Sequence, residues 1–102
     1  MITELTARIE EWARERGLDA ANPDKQMLKL GEEYGELCQG LAKNLPEQVK
    51  DSIGDMYVVL TILSLQLGLD IEDCVMHSYG EIKDRKGKLV NGVYVKEADL
   101  IN

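Results

Sequence analysis

Five carboxylates lie within one short stretch of this chain, Lys29 to Asp55: Glu32, Glu33 and Glu36, then Asp51 and Asp55 after an Asn44-Leu45-Pro46 break. Carboxylates with no histidine or cysteine beside them make an all-oxygen donor set, which suits a hard divalent cation such as Mg²⁺ or Mn²⁺. At 100° per residue Glu32, Glu33 and Glu36 span about 100° of one helix. Like charges three and four residues apart destabilise an isolated helix by a few tenths of a kcal/mol, with Lys29 and Lys43 as the relieving charges along it. A solvated acidic face would account for the glutamates alone. Asp55 is harder to place on a surface, because it opens a segment of almost unbroken apolar residues, Met56 to Leu63. A carboxylate in such surroundings is costly unless it is paired, protonated or metal-bound. Two readings of Asp55 stay open: an ion pair with a lysine or arginine from another helix, or a site shared with Glu33 and Glu36 across an antiparallel helical hairpin.

The elements that would carry these groups follow from apolar periodicity. Thr3 as N-cap, followed by Leu5, Ile9, Trp12 and Ala13, predicts a first helix from about residue 4 to residue 16, stopped by Gly17. Its spacing makes Trp12 a core or dimer contact. Asn22-Pro23 marks a loop. From Asp24 to Asn44 a second helix places Leu30, Tyr34, Leu37 and Leu41 within about 60° of arc, with Met27 and Cys38 close by, as the expected core face. Pro46 suits the first turn of a third helix. From Ile53 to Leu67 that helix is apolar nearly all round, which predicts the central, buried element. Asp70 caps a fourth helix carrying Ile71, Val75, Tyr79 and Ile82. Lys83, Arg85, Lys86 and Lys88 follow as the one basic concentration, serving either the helix dipole or phosphate contacts. The lone His77 gives no metal framework. Asn91-Gly92 between short apolar runs signals a hairpin, so residues 89–102 read as a hairpin or extended tail. The fold class expected is all-α: a single domain over residues 1–102, a bundle of four to five helices with that short C-terminal β-hairpin or tail.

With 102 residues the chain fits one domain with a modest core, which favours self-association. A net charge of -7 argues against nucleic acid as a partner, since phosphate backbones are bound by Lys and Arg. Neither Cys38 nor Cys74 belongs to a CxxC pair, and the opening MITELTARIEEW lacks an export signal, so a cytoplasmic location with reduced thiols is expected. The apolar run Met56–Leu69 is shorter than the roughly 20 residues a membrane span needs.

Glu32-Glu33-Tyr34-Gly35-Glu36 followed by Asp51-Ser52-Ile53-Gly54-Asp55 resembles the EExxE…ExxD signature of the MazG-like all-α nucleotide pyrophosphohydrolases. The resemblance covers roughly residues 25 to 88. It implies a helical bundle, homodimeric or homotetrameric, that uses Mg²⁺ (or Mn²⁺) to cleave nucleoside triphosphates between the α and β phosphates. It further implies Glu33, Glu36 and Asp55 as metal ligands, Glu32 as a further ligand or the group that orients the attacking water, and Lys83, Arg85 and Lys86 as phosphate contacts. Ser52 stands where the signature has glutamate. Asp51, about 100° away on a helix, either supplies the missing carboxylate or leaves the site with fewer ions. A helical interaction module without catalysis is the alternative from another class.

Overall fold

A computed structural model describes residues 1–100 of the chain. The fold is all-α with a short hairpin: α1 (Ile2–Glu15), a 3₁₀ turn (Leu18–Ala20), α2 (Pro23–Ala42), α3 (Pro46–Gln66), α4 (Ile71–Ile82), β1 (Gly87–Val90), β2 (Val93–Lys96) and a second 3₁₀ turn (Glu97–Asp99). The chain divides into two compact units, one from Met1 to Glu72 and one from Asp73 onward.

In the first unit α3 lies between α1 and α2. Each helix ends where its sequence stops it. Gly17 and Gly68 take φ of 70° and 72°, and Asn44 takes 59°, the left-handed geometry that closes a helix C-terminus. At α2 the Leu45 N–H reaches back to the Gly40 carbonyl at 2.8 Å, and at α3 the Leu69 N–H reaches Ser64 at 2.8 Å. Asn22 caps α2 by accepting the Asp24 N–H at 2.8 Å, with Pro23 in the first turn. Asp70 caps α4 in the same way through the Glu72 N–H. Thr3 does not cap α1: the N-cap position is Met1 and the helix begins at Ile2, two residues before the expected start, with no side-chain cap.

The tight Lys43–Leu45 connection makes α2 and α3 an antiparallel hairpin. Gly40 permits the closest approach, because a Cβ there would stand 3.0 Å from Val49 Cγ2. The α2 face turned to α3 carries Gln26, Glu33 and Gly40, all buried, with Leu30 and Leu37 partly covered. This corrects the expected core face: Met27, Tyr34 and Leu41 are exposed. Seen on a helical wheel, the covered arc is rotated by about 80° from those three residues, toward Glu33. Central position does not bury α3 all round either. Val59, Thr61, Ile62 and Leu63 are enclosed, while Ile53, Leu60 and Leu67 remain exposed.

On its other flank α3 meets α1 through Thr6, whose hydroxyl lies 2.7 Å from the Tyr57 hydroxyl and also donates to the Ile2 carbonyl. Further along, Gln66 Nε2 donates to the Leu18 carbonyl at 2.9 Å and ties the 3₁₀ turn to the end of α3. Trp12 is not core: it is half exposed, with the Arg16 guanidinium 4.2 Å above its ring.

In the second unit β1 and β2 pair antiparallel in the register Leu89↔Tyr94 and Val90↔Val93. Asn91 and Gly92 form the turn with φ of 51° and 79°, the two positive angles that a two-residue hairpin with right-handed twist requires.

Candidate functional site

The hairpin brings the acid groups of its two helices to one side. Glu36 and Gln39 from α2, with Gln48, Asp51, Ser52 and Asp55 from α3, line an open cavity of about 430 Å³. Gln48 braces its mouth: Nε2 donates to the Glu36 carbonyl and to Gln39 Oε1, both at 2.9 Å. That brace fixes Glu36 relative to the first turns of α3, where Asp51 and Asp55 sit one helical turn apart. Neither glutamine belongs to the site expected from the sequence. Their signal is position alone, since both border the Asn44 break.

Glu33 lies beneath this surface. It is 9% exposed, and its Oε2 has no hydrogen-bond partner. Burial raises its pKa above the ordinary carboxylate value, the charges of Asp55 and Glu36 raise it further, and Lys29 partly offsets them. The buried carboxylate is therefore Glu33, and the expectation that Asp55 is the costly one is corrected. Asp55 is exposed, because on α3 it faces the acid side of the hairpin rather than the contact with α2. No lysine or arginine within 4 Å pairs with Asp55 among the described residues, where the one close contact between a basic side chain and an acid is that of His77 Nε2 with Glu81 Oε1 at 3.0 Å.

Of the other residues named from sequence, Glu32 is exposed and does not line the cavity. Ser52 is 1% exposed and contributes a hydroxyl where a longer acid would project into the cavity. Lys83, Arg85 and Lys86 belong to the second unit. They lie past the end of α4 rather than in its last turn, in the turn and extended segment leading to β1. Arg85 there lines a hollow with Ile82 and Tyr94, and its carbonyl accepts the Tyr94 hydroxyl at 3.3 Å.

A divalent cation is tested here by the chemistry of the donors. Three carboxylates, Glu36, Asp51 and Asp55, line the cavity on one side of the hairpin, and one oxygen of the buried Glu33 is unpartnered; both features suit a hard cation. Among the described residues no three acid, histidine or cysteine side chains already converge on one point, so binding needs side-chain rotation.

Over 70 residues, 68% of its length, the chain is 50% identical to an uncharacterized 18.2 kDa protein in the rep-hol intergenic region of Haemophilus phage HP1 (strain HP1c1). The match spans 43% of that protein, less than half of it. No family model matches the chain. No solved structure matches it.

Proposed function

We propose that the acid side of the α2–α3 hairpin is the active site of a Mg²⁺-dependent (or Mn²⁺-dependent) nucleotide pyrophosphohydrolase that cleaves nucleoside triphosphates to monophosphates and pyrophosphate. The observation that carries this reading is the buried Glu33 carboxylate, its Oε2 unpartnered and the charges of Asp55 and Glu36 acting on it, beside an acid-lined cavity. A structure that needs only solubility does not bury an uncompensated acid there, since doing so costs free energy.

In this reading Glu33, Glu36 and Asp55 hold the cation, and Asp51 stands in for the acid that Ser52 lacks. When bound, the cation neutralises phosphate charge and lets a protein of net charge -7 accept a triphosphate. Glu32 orients the attacking water. The water oxygen forms a bond to the α-phosphorus, the bridging oxygen departs with pyrophosphate, and the water's proton passes to a carboxylate. Lys83, Arg85 and Lys86 are phosphate contacts on the strength of the resemblance alone. The same reading includes a homodimer or homotetramer in the cytoplasm. Within the described residues no helix is long and apolar enough to cross a membrane.

The test is pyrophosphate release from a panel of NTPs and dNTPs with Mg²⁺, with Asp55→Ala as control. Two observations favour the second reading, a catalytically silent helical module. One is the hydroxyl of Ser52 in place of an acid; the other is the lack of three converging ligands among the described residues. That module predicts no turnover and no stabilisation by the cation.

A further inference from the structure

Among the described residues, two side-chain hydrogen bonds join α2 to α3, and both start from one atom: Gln48 Nε2 donates to the Glu36 carbonyl and to Gln39 Oε1. Gly40 makes room for this clasp, since a Cβ added there would stand 3.5 Å from Gln48 Cβ. Both amides line the acid cavity. On the helical wheel they lie on the acid side of the hairpin, whereas the exposed Met27, Tyr34 and Leu41 of α2 and Ile53, Leu60 and Leu67 of α3 are rotated from the α2–α3 contact in the opposite sense.

The partners fix how each amide is turned. A main-chain carbonyl only accepts, so Gln48 must present its nitrogen to Glu36. That nitrogen only donates, so Gln39 must present its oxygen to Gln48. Gln48 Nε2 thereby uses both of its hydrogens. Gln39 Nε2, directed away from Gln48, uses neither and has no partner among the described residues. The rest of the lining is three carboxylates, which when ionised only accept, and the Ser52 hydroxyl. Gln39 Nε2 is thus the one side-chain N–H donor that the cavity leaves free.

We propose that Gln39 is a substrate-binding residue: its Nε2 donates to a phosphate oxygen of the triphosphate, and Gln48 is the positioning residue that aims it. Gln39 has this role only if the acid side is the proposed pyrophosphohydrolase site, so the inference rests on that reading; no amide is among the groups that the resemblance assigns. A triphosphate offers oxygens that accept, and so does the acid wall of the cavity, so beside the cation a donor is what the wall lacks. An amide suits the place better than a lysine. An ammonium at position 39 would pair with Glu36 three residues earlier and engage a carboxylate that the cation needs, whereas neither hydrogen bond of the clasp ends on a carboxylate. The clasp is also made before substrate arrives, so less side-chain freedom is lost on binding.

Calorimetry with inorganic tripolyphosphate at saturating Mg²⁺ tests this, because the probe carries three phosphates and no base and reads binding rather than turnover. Gln39→Met, at an exposed position, is expected to raise the dissociation constant by at least about tenfold, the scale on which a hydrogen bond to a charged oxygen is lost. Gln48→Met removes both hydrogen bonds between the helices and leaves Gln39 its donor. It is expected to lower the melting temperature more than Gln39→Met does and to weaken tripolyphosphate less. A pair that only braces the helices would give the reverse order of affinities. That reverse order, or an unchanged affinity in Gln39→Met, overturns the inference while binding by wild type leaves the functional reading standing. Failure of wild type to bind the probe overturns both.

Discussion

The two sides of the α2–α3 hairpin are built from the same two helices and differ in nearly everything else. One side displays Glu36, Asp51 and Asp55 around a cavity, with Glu33 buried beneath it; the other displays Met27, Tyr34, Leu41, Ile53, Leu60 and Leu67. Neither side is what a protein needing only to be soluble would keep. The acid side holds like charges together and leaves a carboxylate oxygen unpartnered, while the apolar side leaves large side chains in water. The difference teaches that one pair of helices can carry two faces of opposite chemistry, of which the acid one is the face that the proposed function assigns to a cation.

Changes at the shared contact should have the largest effect, because both sides depend on it. Gly40→Leu forces a side chain into Val49, where even a Cβ is tight, and overpacking of this kind costs about 1–3 kcal/mol or more. Thermal melting is expected to show loss of most of the cooperative transition. A transition unchanged from wild type would mean that the hairpin is not the frame for either side.

Next in size is the response to cation. With Mg²⁺ at about a hundred times its dissociation constant, binding to the folded state is expected to add about 2.7 kcal/mol and to raise the melting temperature by roughly 10–20 °C. Glu36→Ala is expected to abolish that rise, and Leu60→Glu to leave it in place. Loss of the rise in both variants would tie the two sides together and break the comparison.

Smaller still is the effect of removing the buried charge. Glu33→Gln is expected to raise the melting temperature of the cation-free protein slightly at neutral pH and to eliminate the rise with Mg²⁺. The sign follows from its pKa, which folding raises above the ordinary value of 4.5. The folded state then holds the proton more tightly than the unfolded state. The stabilisation from protonated Glu33 is therefore full below pH 4.5 and is lost as pH rises through the folded value. Chemical denaturation across that window should show this loss in wild type and not in Glu33→Gln.

Helix boundaries were largely legible in the sequence, because Gly17, Asn22-Pro23, Asn44, Pro46, Gly68 and Asp70 act through local backbone geometry that no distant contact overrides. The Asn91-Gly92 turn was legible for the same reason. Which face of α2 is buried was not. Periodicity marks an apolar stripe from Leu30 and Leu37 through Tyr34 and Leu41, but the chain alone covers only one edge of it, and Gly40 decides which edge. Hydropathy scores a glycine as nearly neutral, although close approach of Val49 makes it the pivot of the hairpin. That rotation is also why Glu33, rather than Asp55, is the buried acid. The cavity-bracing amides of Gln39 and Gln48 had only their position beside the Asn44 break as a signal, since glutamine is equally common on solvated helix faces.

The most direct test of the acid side is a comparison of pyrophosphate and phosphate release from NTPs and dNTPs with Mg²⁺, using wild type and Asp55→Ala. Asp55 is exposed, so its loss should not disturb the fold. Pyrophosphate release that falls by about a hundred- to a thousandfold in Asp55→Ala is the predicted result, on the scale expected when a transition-state charge loses its stabilising group. Equal release by both proteins, or none by wild type at saturating cation, would contradict the account.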